Sequence, residues 1–164
     1  MTLNWAIYAS LALGLSSALV AGVFQAFSDF VMPALVRTRP EGAIEAMQMI
    51  NRTVFRSVFL VMLLGLTPLS LGFAAYAYFN LSGAAQVWIM IGAVIYVVAV
   101  FLVTMLGNVP MNNRLDNMPF AAADTATYWQ TYGRVWTGWN HVRTLGSLVT
   151  ATCFLVASVT LAAQ

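Results

Sequence analysis

Three clusters of polar side chains interrupt a sequence that is otherwise apolar, and each has residue types that can do chemistry. His141 is the only histidine. It is the one side chain here whose ordinary pKa suits proton transfer at neutral pH. It lies near the end of a run holding Tyr128, Trp129, Tyr132, Arg134, Trp136, Trp139, Asn140 and Arg143, which contains three of the five tryptophans. A belt of aromatic residues at a membrane surface would use the same residues. The second cluster is Asn108, Asn112 and Asn113, with Arg114 and Asp116 beyond. Asparagine both donates and accepts hydrogen bonds, so this cluster can hold a carbonyl oxygen or a quinone-like ring, or it can cap a helix. Asn108 and Asn112 share a face if the helix continues, and Pro110 stands between them. The third cluster is Gln25, Ser28 and Asp29. A carboxylate inside a bilayer edge is costly unless it is paired, hydrated or turned into a bundle.

The elements that must position these clusters are set by composition. Of 164 residues, 61% are hydrophobic and only 7% are charged, far from the quarter typical of a soluble domain. Apolar runs predict four membrane helices, at about 5–35, 56–79, 87–107 and 141–162. A short amphipathic helix after Pro40 is expected to lie at the interface between the first two. The expected fold is therefore all-α: an integral membrane protein, one four-transmembrane-helix bundle over residues 1–164. The first apolar run has no basic residue before Arg37, so it reads as an uncleaved helix rather than a signal peptide.

All seven basic residues are arginines, and they fall in or beside the loops after the first and third helices. The short middle loop and both ends carry no charged side chain. The positive-inside rule then places the arginine-bearing side in the cytoplasm and both termini outside, in a multi-pass plasma (inner) membrane protein. Seven scattered arginines form no stripe for nucleic acid. One Cys and one His make no metal site by themselves, and Cys153 reads as a small packing residue. No phosphate loop is present. A haem held by His141 and a methionine such as Met111 is compatible with the composition. The small residues Gly14, Ala18 and Gly22 suit close packing within the bundle or against a second copy, a homo-oligomer.

The segments Gly22–Ser28, Val31–Leu35, Asn108–Asn113, Tyr128–Trp129 and Trp136–Arg143 resemble, in the same order, those of the anthrone-oxygenase-like membrane proteins. The resemblance implies a four-helix membrane bundle. For the characterised fungal branch it implies oxidation of a polycyclic anthrone to an anthraquinone with molecular oxygen. By motif match it carries over Asn108, Asn112, Asn140, His141 and Arg143.

The resulting expectation is a membrane oxidoreductase or oxygenase acting on a flat apolar phenol, anthrone or quinol-like aromatic that enters from the lipid bilayer. His141 is expected as general base, with Asn108, Asn112 and Arg143 stabilising an oxyanion. Trp136 and Trp139 are expected to stack on the ring, and Gln25, Asp29 and Asn140 to bind the substrate. No cofactor is required by this scheme, although quinone or haem b fits the same clusters. The alternative is a non-catalytic membrane subunit or a ligand-binding protein. Its polar clusters would then serve helix caps and loop contacts.

Overall fold

The computed structural model describes the backbone of residues 2–164 and the side chains of residues 5–164. Among them there is no strand. Helix α1 spans 2–36 and contains a wide π turn, Phe27–Val31. Helix α2 is Pro40–Thr53, with proline at its first position, where a missing N–H costs nothing. A 3-10 turn, Val54–Arg56, leads to α3, Val58–Asn80, which is capped by the Ser57 hydroxyl accepting from the Leu60 N–H at 3.2 Å. Gly83, with φ of 73°, turns the chain into α4, Gly83–Asp116. Helix α5 is Ala123–Ala162.

Helices α1, α3, α4 and α5 are long and apolar enough to cross a membrane, as expected of a multi-pass membrane protein. Helix α5 runs against α1 and α4 along much of its length, and α3 closes the ring between those two. Small residues make the close approaches. A Cβ added at Gly146 would sit 2.7 Å from Ala99 Cβ, and one at Gly14 would meet Leu155 at 2.9 Å. Gly22 has nothing within 4 Å of such a carbon, so the expected small-residue stripe of α1 is divided: Gly14 packs inside the bundle and Gly22 does not.

One expected break is absent. Helix α4 does not stop at Gly107; it continues through Pro110 to Asp116. Proline offers no N–H to the preceding turn and its ring crowds the carbonyl there. The π segments Tyr96–Leu102 and Thr104–Asn108 widen the helix just before it and let the chain pass. Helix α5 starts at Ala123, so the crossing expected over 141–162 is the second half of a longer helix. At about 1.5 Å per residue its 40 residues reach well beyond a hydrocarbon core of about 30 Å. Its first half therefore extends past the core on the arginine-bearing side.

Helix α2 differs from the expected interfacial helix in where its apolar face goes. Ala43, Ile44 and Met47 are buried in a cluster with Met32, Leu115, Tyr128, Trp129, Tyr132 and Trp136. Gln48 Nε2 donates to the carbonyls of Leu115 and Met118, both at 2.8 Å, which fixes α2 to the end of α4. The face is turned onto the bundle end, where it closes the arginine-bearing side.

Candidate functional site

Beneath α2 lies a cavity of about 150 Å³, walled by all four spanning helices and the α2–α3 turn. Its apolar walls come from Phe24 and Phe27 of α1, Phe59 and Leu63 of α3, and Trp136 of α5. The Phe24 and Phe59 rings meet edge-on at 5.5 Å, and Phe27 tilts against Trp136 at 6.0 Å. Phe55 also lines the cavity while 72% exposed, so it marks a mouth at the α2–α3 turn.

Arg143 dominates the deep end. It is only 5% exposed, yet no carboxylate lies within ion-pair reach of it among the described residues. Nη2 donates to Asn140 Oδ1 at 2.6 Å, Nη1 lies 3.5 Å from the Thr104 hydroxyl, and buried Nε has no acceptor. The guanidinium sits 4.2 Å over the Phe24 ring and 5.4 Å from that of Trp136. Ring faces attract a cation weakly, but they do not neutralise it. A buried cation without a counter-ion is among the most expensive arrangements a bundle can hold.

Asn140 holds this arginine in place. It is fully buried, and its Nδ2 donates to the Phe24 carbonyl and to the Ser28 hydroxyl, both at 2.6 Å. Its oxygen is thereby left to Arg143. The α1 segment just before and within the π turn is thus tied to α5 by the same side chain that aims the guanidinium.

Asn112 sits nearer the mouth. Its Oδ1 accepts from Trp136 Nε1 and from the Tyr132 hydroxyl, each at 2.8 Å. An indole N–H only donates, so the atom it meets must be the amide oxygen. The Asn112 NH₂ is then a donor left to the cavity. Asn51 and Asp116 complete this end of the wall. The Asp116 Oδ2 is 3.7 Å from Arg52 Nε, the one ion pair among the described residues, and its buried Oδ1 has no partner.

Of the residues singled out from sequence, the cavity gathers Asn112, Trp136, Asn140 and Arg143. Asn108 lies beside it, fully packed, with Nδ2 donating to the Trp136 carbonyl at 3.2 Å. The other four lie elsewhere. His141 is exposed and does not line the cavity, and neither do the exposed Gln25 and Asp29. Trp139 is 42% exposed, and its ring covers Gly107 on the outside of α4. The reason is helical phase: Trp136, Asn140 and Arg143 recur at intervals of four and three, and a residue one step from Asn140 is rotated by about 100°. Met111 also falls outside the cavity wall, so the structure brings no His–Met pair to it. Asn113 and Asp116, also of the second polar cluster, line the cavity as well, and Asn51 and Thr104 do so without having been selected from sequence.

Comparison with known proteins adds one finding. A family model described as anthrone oxygenase matches residues 52–153, more than half of the chain. The matched stretch carries Asn112, Asp116, Trp136, Asn140 and Arg143. No curated protein and no solved structure matches the chain.

Proposed function

The chain belongs to the anthrone oxygenase family, and from that footing we propose that the cavity binds a flat, apolar, oxidisable aromatic in its ionised form and exposes it to molecular oxygen. Family membership by itself suggests oxygenase-like chemistry. The observation that carries the finer reading is Arg143: a buried guanidinium on an aromatic cavity wall, without a carboxylate partner. The missing negative charge is supplied by the ligand, as a phenolate or as the enolate of an anthrone.

For an anthrone the steps balance with oxygen alone. The ring methylene loses a proton, and the charge moves to the carbonyl oxygen, which the Arg143 side chain faces. The guanidinium is fixed before the ligand arrives, so it stabilises this charge without rearranging. The anion gives its electron pair to oxygen, a carbon–oxygen bond forms, and the peroxide takes up a proton. Loss of the second methylene proton then forms the new carbonyl as the oxygen–oxygen bond breaks, and water leaves. One oxygen molecule is consumed; one of its atoms enters the quinone and the other becomes water.

The expected role of His141 as the base does not suit its position. A general base must come within about 3 Å of the proton it takes, directly or through one water, and the imidazole is exposed outside the cavity wall. We assign proton removal to water at the polar mouth beside Asp116. Lateral entry from lipid suits an apolar ligand, with the arginine-bearing end on the cytoplasmic side. A cavity of about 150 Å³ is the size that takes one benzene ring. A fused ring system would therefore fill it with one end and extend through the mouth past Phe55.

The test is oxygen uptake with anthrone by the protein in lipid nanodiscs. Consumption of one oxygen per quinone, lost in Arg143→Gln, is the expected result. Turnover unchanged in Arg143→Gln would remove the argument for an anionic ligand.

A further inference from the structure

A second recess lies on the outside of the bundle, at the arginine-bearing side. It is an open groove of about 340 Å³, walled by the ends of α1 and α5 alone. Its floor is apolar: Met32, Pro33 and Val36 of α1 against Gly133 of α5. The helices come close there because position 133 has no side chain; a Cβ on it would sit 3.0 Å from Val36 Cγ2. Arg37 and Arg134 stand one on each wall, both exposed. No carboxylate lines the groove, and neither guanidinium has one within ion-pair reach among the described residues. Gln130 adds an exposed amide, whereas the Thr137 hydroxyl already donates to the Gly133 carbonyl at 2.6 Å.

Depth decides what can reach this groove. Phe30 on α1 and Trp139 on α5 are 61% and 42% exposed, and exposed aromatic rings settle at the membrane interface. At about 1.5 Å per residue, Arg37 and Arg134 lie about 10 and 7.5 Å further from the bilayer centre than those rings, near the outer edge of the headgroup layer. Side chains on a helix lean toward its start, which carries Arg37 back toward the bilayer. An apolar floor that continues into lipid, with two cations at its wet end, fits an amphiphile with a negative head. We propose that the groove holds an anionic phospholipid, with its phosphate between Arg37 and Arg134 and an acyl chain along the α1–α5 seam. Guanidinium forks suit phosphate oxygens, and basic pockets between spanning helices take such headgroups. A zwitterionic lipid brings the same phosphate, but also a cation for which the groove has no carboxylate. The inference is independent of the aromatic cavity.

The probes are phosphatidylglycerol and phosphatidylcholine of equal chain length, each titrated into the delipidated protein in neutral detergent, with bound lipid counted by native mass spectrometry. Phosphatidylglycerol is expected to bind about tenfold or more tightly, since each arginine near a membrane surface contributes about fivefold. The preference is expected to fall to within about threefold when Arg37→Gln and Arg134→Gln are combined. Both side chains are exposed and unpaired, so the double variant is expected to fold, and each single variant is expected to show part of the loss. Arg56→Gln removes the same charge from an exposed site outside the groove and is expected to keep the preference. No preference in the parent protein, or one that survives in the double variant, would overturn the proposal. A loss in Arg56→Gln as large as that in Arg37→Gln would overturn it too, because general surface charge would then explain the binding. Displacement of the lipid by an equal concentration of inorganic phosphate would assign the groove to a soluble anion and overturn the lipid assignment.

Discussion

The two halves of the bundle are built from the same four helices but solve different problems. Away from the arginines, the buried polar groups are hydroxyls only: Ser10, Ser17, Ser70, Ser147, Thr150 and Ser158. Three return to a neighbouring backbone, Ser10 to the Phe154 carbonyl at 2.7 Å, Thr150 to that of Gly92 at 3.2 Å and Ser158 to that of Ile7 at 3.2 Å, while the small hydroxyls of Ser17, Ser70 and Ser147 are buried without a partner. Around them Ala6, Ala77, Ala85 and Ala157 let the helices approach closely. Toward the arginines amides and a guanidinium join the buried hydroxyls, and they bond to one another as well as to backbone, leaving Arg143 Nε, Asn51 Nδ2 and Asp116 Oδ1 unpaired around a cavity. A small hydroxyl can turn back on its own helix and costs little. A guanidinium cannot, and its unmet valences point to something that arrives from outside the chain.

If that division is right, substitutions in the two halves should separate activity from stability. The largest effect among the supporting residues is expected at Asn140→Leu, which frees Arg143 and the Phe24 carbonyl together. Turnover should fall about 100-fold, and unfolding in detergent should come markedly earlier, because a buried charge loses its acceptor. Asn112→Leu should lower turnover about tenfold with a smaller loss of stability, since the Trp136 indole and Tyr132 hydroxyl lose their acceptor. Gly146→Val lies on the other side of the comparison. It crowds Ala99 and should destabilise the bundle by about 1–3 kcal/mol, while the folded fraction keeps its activity. His141→Ala should be the mildest, with turnover within about twofold of the parent. A loss of 100-fold there would place the base outside the cavity and end the assignment of proton removal to water.

Much of this was legible in the sequence. The four crossings followed from apolar runs, and the gathering of charge on one side followed from counting arginines along the chain. Asn112, Asn140 and Arg143 stood out because they fall in the polar clusters and in the segments that resemble the family. Two features were hidden. The passage of α4 through Pro110 depends on π turns, which leave no mark in the pattern of apolar residues. The facing of single residues was the other. Gln25 and Asp29 share a face, as do Phe24 and Ser28, and polarity alone favoured turning the first pair inward. The structure turns the second pair in, because Asn140 needs the Phe24 carbonyl and the Ser28 hydroxyl. His141 drew attention by its chemistry, whereas the stripe Trp129, Tyr132, Trp136, Asn140, Arg143, Ser147 fixed which way α5 would face.

Arg143 is expected to favour the ionised form of a bound aromatic. This can be measured by following the visible absorption of anthrone bound to the protein without oxygen as pH is raised, since ionisation extends the conjugation of the ring system. A buried cation stabilises the anion, so half-ionisation should occur at lower pH in the parent protein than in Arg143→Gln, by at least about one pH unit. The same midpoint in both proteins, with anthrone bound to each, would contradict the claim.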